Sequence, residues 1–239
     1  MIPKRIIYVW MGKNPYPKNI LDNINSWKRY NPEYEFLEIN EHNFDVNLYD
    51  FTRAAYSNDQ WAFVSDVARI WAVNNYGGIY LDTDVEAIKN FDDLLIEPQF
   101  WAKEDVGMVN SGLIFGSEKN NKVLEEILEK YSKMEFKPDK MVENTTVHIV
   151  SNVLRNHGLK LNKKVNYLDN GAKVYSPEYF APFHYWGGGR ITDKTITVHK
   201  YGASWISNNK SKTKYFMHEI MYHLPMIGEI VRWGKRKMR

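Results

Sequence analysis

Apolar positions recur most clearly between residues 60 and 76, where Trp61, Val64, Ala68 and Trp71 fall at i, i+3, i+7 and i+10. That period predicts a helix, and Gly77 and Gly78 predict its end. A strand, Ile79 to Asp82, follows directly. Upstream, Ile6 to Trp10 reads as a first strand, Pro17 opens a helix to about Tyr30, and Tyr34 to Ile39 reads as a second strand. A polar stretch precedes a helix near Phe51 to Tyr56. Downstream, Trp101 to Glu104 and Met108 to Phe115 read as strands, 120–133 and 145–157 as helices, the second ended by Gly158. Thr195 to His199 reads as a last strand, and a helical pattern from about Thr213 breaks at Pro225. The stretch 135–190 yields few assignments. Its aromatic run Tyr179-Phe180, Phe183, Tyr185-Trp186 reads either as an acceptor wall or as ordinary core. Alternating strands and helices predict an α/β fold with a mostly parallel central sheet flanked by helices. Ligands of such sheets sit at the carboxyl ends of strands.

Composition narrows the class. At 239 residues, with 44% apolar and 26% charged positions, the chain suits one sizeable globular domain. Aromatics at 15% fit either stacking on sugars and bases or an aromatic core. The absence of Cys excludes a disulfide framework, a thiolate nucleophile and a zinc–thiolate site, and is compatible with a reducing compartment. The opening MIPKRIIYVW is too short for a signal-peptide core, and no window has the length a spanning helix needs. Charge is uneven. Residues 208–239 hold eight Lys/Arg and two acids, so they carry +6 and leave the rest at −3 within a net +3. This divides the expectation into a domain over 1–207 and a basic helical tail over 208–239. In the tail, Phe216, Ile220, Leu224, Ile227 and Val231 recur at helical spacing. That face reads either as a surface for anionic lipid, placing a cytoplasmic protein on the inner face of the membrane, or as one packed on the domain. A nucleic-acid arm is the disfavoured third reading.

Candidate chemistry centres on GGIYLDTD, Gly77 to Asp84. Side chains at i and i+2 of a strand share a side, so Asp82 and Asp84 are expected to reach one hard cation. Mn²⁺ or Mg²⁺ on one or two carboxylates keeps positions for phosphate oxygens. A lone Asp-x-Asp is weak evidence, more readily read as two solvated turn residues. Three constellations add to it. Asp66 and Arg69 lie at i and i+3 of the clear helix and read either as brackets for sugar hydroxyls or as a helix ion pair. Trp10 ends the first strand, as a stacking platform or a core residue. VHKYGASW, His199 to Trp205, joins a possible metal ligand, His199, to a loop in which Gly202, Ser204 and Trp205 suit phosphate. Asn110 to Ser117, NSGLIFGS, is a Gly-punctuated strand, with carboxylates Glu104 and Asp105 upstream. No P-loop or dinucleotide fingerprint occurs.

Taken in order, IPKRIIYVWMG, SWKRYNPEYEF, WAFVSDVARIWAVNNYGGIYLDTDVE, VNSGLIFGS and VHKYGASW resemble the bacterial branch of glycosyltransferases with a DXD sugar-binding region. That group includes capsular and surface polysaccharide transferases, with yeast α-mannosyltransferases and clostridial toxin glucosyltransferase domains as more distant relations. The resemblance covers about Ile2 to Trp205. It implies a GT-A (Rossmann-like) fold, a nucleotide-sugar donor, a divalent metal, usually Mn²⁺, and retention of configuration. It implies that Trp10 stacks on the base and that Asp66 and Arg69 hold the donor sugar. Asp82 contacts ribose and metal, Asp84 and His199 the metal, and Asn110 the neighbourhood of the reacting sugar. Lys200, Gly202, Ser204 and Trp205 fall to the diphosphate. Two positions depart from the pattern: Ile7 and Lys200 stand where the branch often has His. Lys200 can still meet phosphate as a point charge, whereas Ile7 makes no polar contact. By family frequency the base is uridine. The sugar is a hexose or N-acetylhexosamine, and the acceptor is an oligosaccharide or lipid-linked saccharide. Front-face and covalent routes both stay open. Metal-dependent phosphoryl transfer and a non-catalytic carbohydrate-binding module are the alternative classes.

Overall fold

Strand β1, Arg5–Val9, alternates its side chains between two cores. Ile6 faces one and Ile7 and Val9 the other, all buried. The computed structural model describes residues 1–137, 145–184 and 188–201. After β1 come α1 (Lys18–Tyr30), β2 (Glu35–Ile39), α2 (Asp50–Ser57), α3 (Trp61–Tyr76), β3 (Gly78–Tyr80) and β4 (Val85–Ala87). A short 3-10 turn, Asp92–Leu94, leads to β5 (Gln99–Asp105), β6 (Met108–Val109) and β7 (Phe115–Ser117). Then follow α4 (Lys122–Ser132), α5 (Thr146–Asn156), β8 (Asn166–Tyr167), β9 (Lys173–Tyr175), α6 (Pro177–Phe180) and β10 (Thr197–His199).

The main sheet has the order β2-β1-β3-β7-β5-β9-β8, with β6 paired to β5. Following the pairings, β2, β1, β3, β5 and β9 run one way, so the sheet is mostly parallel. The inserted β7 and the short β6 and β8 run against them. A separate two-stranded ribbon pairs β4 with β10. One face of the sheet packs on α2, α3, α4 and α5 through Ile7, Tyr80, Trp101 and Phe115. The other packs on α1 and α6 through Ile6, Ile79, Leu81 and Phe100. The result is the three-layer α/β arrangement the sequence pattern predicts.

Helix α3 is buried on several faces, with Phe63, Val64, Val67, Ile70 and Val73 all inside. A helix apolar on most sides belongs inside a protein, and this one lies against the middle of the sheet. Gly77 and Gly78 end it at φ +66° and +134°, values that glycine alone adopts without strain. A Cβ on Gly78 would lie 2.8 Å from the Arg5 carbonyl oxygen, so the two glycines also let β3 pair closely with β1.

Some expected elements differ. Met108 to Phe115 is not one strand but β6 and β7, separated by a turn in which Leu113 N–H donates to Asn110 O. Asn110 favours this break because its side-chain oxygen accepts the Gly112 N–H at 2.7 Å, an Asx-type bond that competes with a ladder. Strands β4, β8 and β9 and helix α6 add to the expected set. They are two to four residues long, too short for a hydrophobic period. Gly202, Ser204, Trp205, the Tyr185-Trp186 pair and the whole 208–239 tail lie outside the described residues. Among the described residues no helix is long and apolar enough to cross a membrane.

Candidate active site at the carboxyl edge of the sheet

The chain leaves β3 at Tyr80 and turns. Val85 N–H donates to the Asp82 carbonyl at 3.1 Å, closing a tight turn over Asp82-Thr83-Asp84 before β4. This turn, rather than a shared strand face, brings Asp82 and Asp84 together. Strand β10 then lies antiparallel to β4 with His199 opposite Val85. Lys200 N–H donates to the Asp84 carbonyl at 2.9 Å, extending the ribbon into the turn. One ligand atom each from Asp82, Asp84 and His199 therefore falls within 4.8 Å of the others. His199 Nε2 sits 3.1 Å from Asp84 Oδ1.

Two carboxylates and one imidazole form a donor set that suits a divalent cation. Each of the three side chains is partly accessible, so a cation there could keep positions for other ligands. Burial opposes charge on His199, but the surrounding carboxylates, Asp84 foremost with Asp82 and Glu104, together hold the imidazole above its ordinary pKa. Burial also raises Asp82, with Arg69 acting against the rise and Asp84 adding to it.

Behind the turn stands α3. Arg69 Nη2 lies 3.0 Å from Asp66 Oδ1 and 3.1 Å from Asp82 Oδ1. The pair predicted on one helix face is therefore a three-member network that reaches the carboxylate turn. The Arg69 guanidinium is nearly buried and packs 5.1 Å from the centre of the Tyr80 ring. Burial pushes Asp66 up to about 7 although Arg69 and the Thr146 amide, at the start of α5, both favour its charged form. Tyr80 Oη donates to Asp82 Oδ1 at 2.6 Å, so Asp82 is fixed by two partners. Sequence reasoning passed over Tyr80, although it lies two residues before Asp82 inside the quoted motif.

Asn110 and Gly112 lie beside the end of β3, on the approach to β7. Asp82 N–H donates to the Gly112 carbonyl at 3.0 Å. A Cβ on Gly112 would stand 2.3 Å from Asp82 Oδ2 and 3.0 Å from Arg69 Nη1. Only glycine leaves room here for the carboxylate and the guanidinium, a requirement the isolated sequence did not reveal. Asn110 Nδ2 donates to Glu104 Oε2 at 3.1 Å. Lys200 Nζ is engaged by Glu86 Oε2 at 3.1 Å, a pairing with β4 that sequence reasoning missed.

Trp10 leaves the same edge from the adjacent strand β1. Its ring is half-buried and lies 4.8 Å from Tyr16, tilted by 37°, and its indole N–H donates to Asn14 O at 2.7 Å. It joins the core on the α1 side of the sheet. The structure brings Asp66, Arg69, Asp82, Asp84 and His199 into one contiguous set, with Asn110 adjoining through Gly112. Trp10 stands apart on its own strand end.

Residues 17–101 match the family model of the glycosyltransferase sugar-binding region containing a DXD motif. The match spans a little over a third of the chain and holds Asp66, Arg69, Asp82 and Asp84. Among solved structures, the PaToxG glycosyltransferase is 17% identical, covering 65% of this chain and 69% of that one with a TM-score of 0.52. A glycosyltransferase involved in glycosylation of the major capsid of PBCV-1 is 13% identical, covering 90% of this chain and 99% of its own with a TM-score of 0.44. Galactosyltransferase LgtC, solved with donor and acceptor sugar analogues, is 12% identical, covering 91% and 95% with a TM-score of 0.44. No curated protein matches. The fold is that of GT-A glycosyltransferases, and the DXD-region match together with that fold supports a transferase enzyme.

Proposed function

We propose that this protein transfers a sugar from a nucleotide diphosphate sugar to a hydroxyl of a saccharide. The observation that carries the reading is the convergence of Asp82, Asp84 and His199 at the carboxyl edge of the sheet, inside and beside the DXD-matched region. Those three residues would hold a divalent cation, Mn²⁺ or Mg²⁺. Such a cation supplies charge neutralisation for a leaving diphosphate. Asp66 and Arg69 bind the donor sugar through whatever hydrogen-bonding capacity their network leaves. Trp10, half-buried at the end of β1, would stack on the base. Lys200, with Gly202, Ser204 and Trp205 beyond the described residues, meets the diphosphate.

In the transfer, the acceptor hydroxyl oxygen bonds to C1 of the sugar as the C1–O bond to the diphosphate breaks. The bonding pair leaves with the diphosphate. In a front-face route giving retention, the hydroxyl proton passes to the departing phosphate oxygen, and no dedicated base is required. A uridine diphosphate sugar is the proposed donor, and surface polysaccharide synthesis in the cytoplasm is the proposed setting. Both rest on the sequence resemblance. The lipid role of the tail also rests on sequence alone. It predicts that a chain ending at Ser207 no longer sediments with anionic vesicles, and undiminished sedimentation would contradict it.

The test is release of nucleoside diphosphate from a panel of nucleotide sugars, with methyl glycosides as acceptors, in Mn²⁺ and in chelator. Glycoside product formed only with metal is expected. Transfer of phosphate instead of sugar would overturn the reading.

A further inference from the structure

Glu104 lies at an irregularity in the sheet. Along β5, Lys103 stands opposite Val109 of β6, and Asp105 stands opposite Met108. The register shift leaves Glu104 as the extra residue of a β-bulge. Bulges bend a strand and re-aim a side chain, and they recur beside active sites. This one is braced from below. The fully buried Lys103 ammonium donates to Asn162 O, Lys164 O and Asn166 Oδ1 at 2.8–2.9 Å, tying β5 to the segment that leads into β8.

The bulge turns Glu104 towards the carboxylate turn. Asn110 grips it. The Asn110 amide donates to Glu104 Oε2 while its oxygen accepts from Gly112 N–H, and the Gly112 carbonyl in turn accepts from Asp82 N–H. Glu104 is near enough to His199 and Tyr201 to favour the charged form of the first and the neutral form of the second.

Charge pairing separates Glu104 from its neighbours. Asp66 and Asp82 share Arg69, Asp84 has His199, Glu86 has Lys200, and Asp105 has Lys163 at 2.8 Å. Among the described residues no cation pairs with Glu104, which is half-buried and has one oxygen in the grip of Asn110. A carboxylate so placed is a strong acceptor of hydroxyl hydrogen bonds. It also repels a diphosphate, so a neutral hydroxyl suits it better.

We propose that Glu104 is an acceptor-binding residue: its free oxygen accepts a hydrogen bond from a hydroxyl of the saccharide acceptor and orients that sugar for attack on C1. The proposal rests on the glycosyl-transfer reading above.

The experiment compares wild type with Glu104→Gln and Glu104→Asp, using methyl glycosides as acceptor probes and nucleoside diphosphate with Mn²⁺ as the binding probe. Gln keeps the size and loses the charge-assisted bond. Affinity for metal and nucleoside diphosphate is expected to stay within about twofold of wild type. Catalytic efficiency towards acceptor is expected to fall about tenfold or more, mainly as a raised acceptor KM, the size of one lost hydrogen bond to a charged group. Asp, which keeps the charge on a shorter arm, is expected to lose less. Unchanged acceptor kinetics in both variants would overturn the proposal. Loss of metal-dependent nucleotide binding in a variant that still melts cooperatively near the wild-type temperature would also overturn it, placing Glu104 with the donor. Failure of wild type itself to bind nucleoside diphosphate with metal would sink the underlying reading and this inference with it.

Discussion

Arg69 is the residue on which the site's electrostatics turn. One nearly buried guanidinium nitrogen serves both Asp66 and Asp82, and Arg holds such forks better than Lys because its donors are fixed in a plane. Replacing it by Met leaves two carboxylates without their cation in a low-dielectric setting. Loss of one partner from a buried ion network costs about 3–5 kcal/mol. Urea unfolding of Arg69→Met is expected to show a loss of that size. A loss under about 1 kcal/mol would mean water reaches the network and screens it. Gly112 makes a sharper test of the carboxylate geometry. Gly112→Ala brings a Cβ against Asp82 Oδ2, which Tyr80 and Arg69 prevent from swinging away. The variant is expected to fold and to lose about tenfold or more in metal-dependent nucleotide affinity, as measured by calorimetry, a cost within the range for displacing one fixed ligand. Wild-type affinity would show that Asp82 is not a ligand.

At the scale of elements, helix α3, strand β3 and the turn after it form one device. The helix period, its glycine stop and the apolar strand were all legible because each is a local pattern. The convergence of the two aspartates was also anticipated, but for a different reason. The side-chain alternation of a strand was invoked, whereas the ladder ends at Tyr80 and the turn at Asp82–Val85 does the work. The ribbon β4–β10 escaped notice because three-residue strands paired across more than a hundred positions leave no periodic trace. The β5 bulge escaped because its partner strand, β6, is two residues long and leaves no periodic trace. Its brace carries a pH prediction. Burial pulls the Lys103 pKa down from 10.5 to about 8. Between those values the unfolded chain holds a proton that the folded chain has released, so stability from this residue rises with pH. The wild-type stability minus that of Lys103→Met is expected to increase from pH 8 to 10.5. A flat difference would mean that the surrounding oxygens keep the ammonium charged in the folded protein.

For the whole molecule, the sheet sets where chemistry gathers. Strands β1, β3 and β5 end at one edge, and Trp10, the Asp82–Asp84 turn and Glu104 all emerge there. The α/β class and this edge were readable from alternation alone, since both follow from how parallel strands connect. The antiparallel insertion of β7 was not, because the chain reverses in the tight β5–β6 hairpin around Val106-Gly107, and Asn110–Leu113 then interrupts a stretch that reads as one Gly-punctuated strand. The proposed chemistry depends on Asp82, Asp84 and His199 holding a divalent cation that binds a nucleotide diphosphate. Thermal unfolding of wild type and Asp84→Asn, each with uridine and guanosine diphosphate in Mn²⁺ and in chelator, tests it most directly. Ligand at tenfold its Kd stabilises by about 1.4 kcal/mol, a shift the melt resolves. Stabilisation of wild type by a nucleoside diphosphate only with Mn²⁺, and none in Asp84→Asn, is expected. Equal stabilisation with and without metal, or in both proteins, would contradict it.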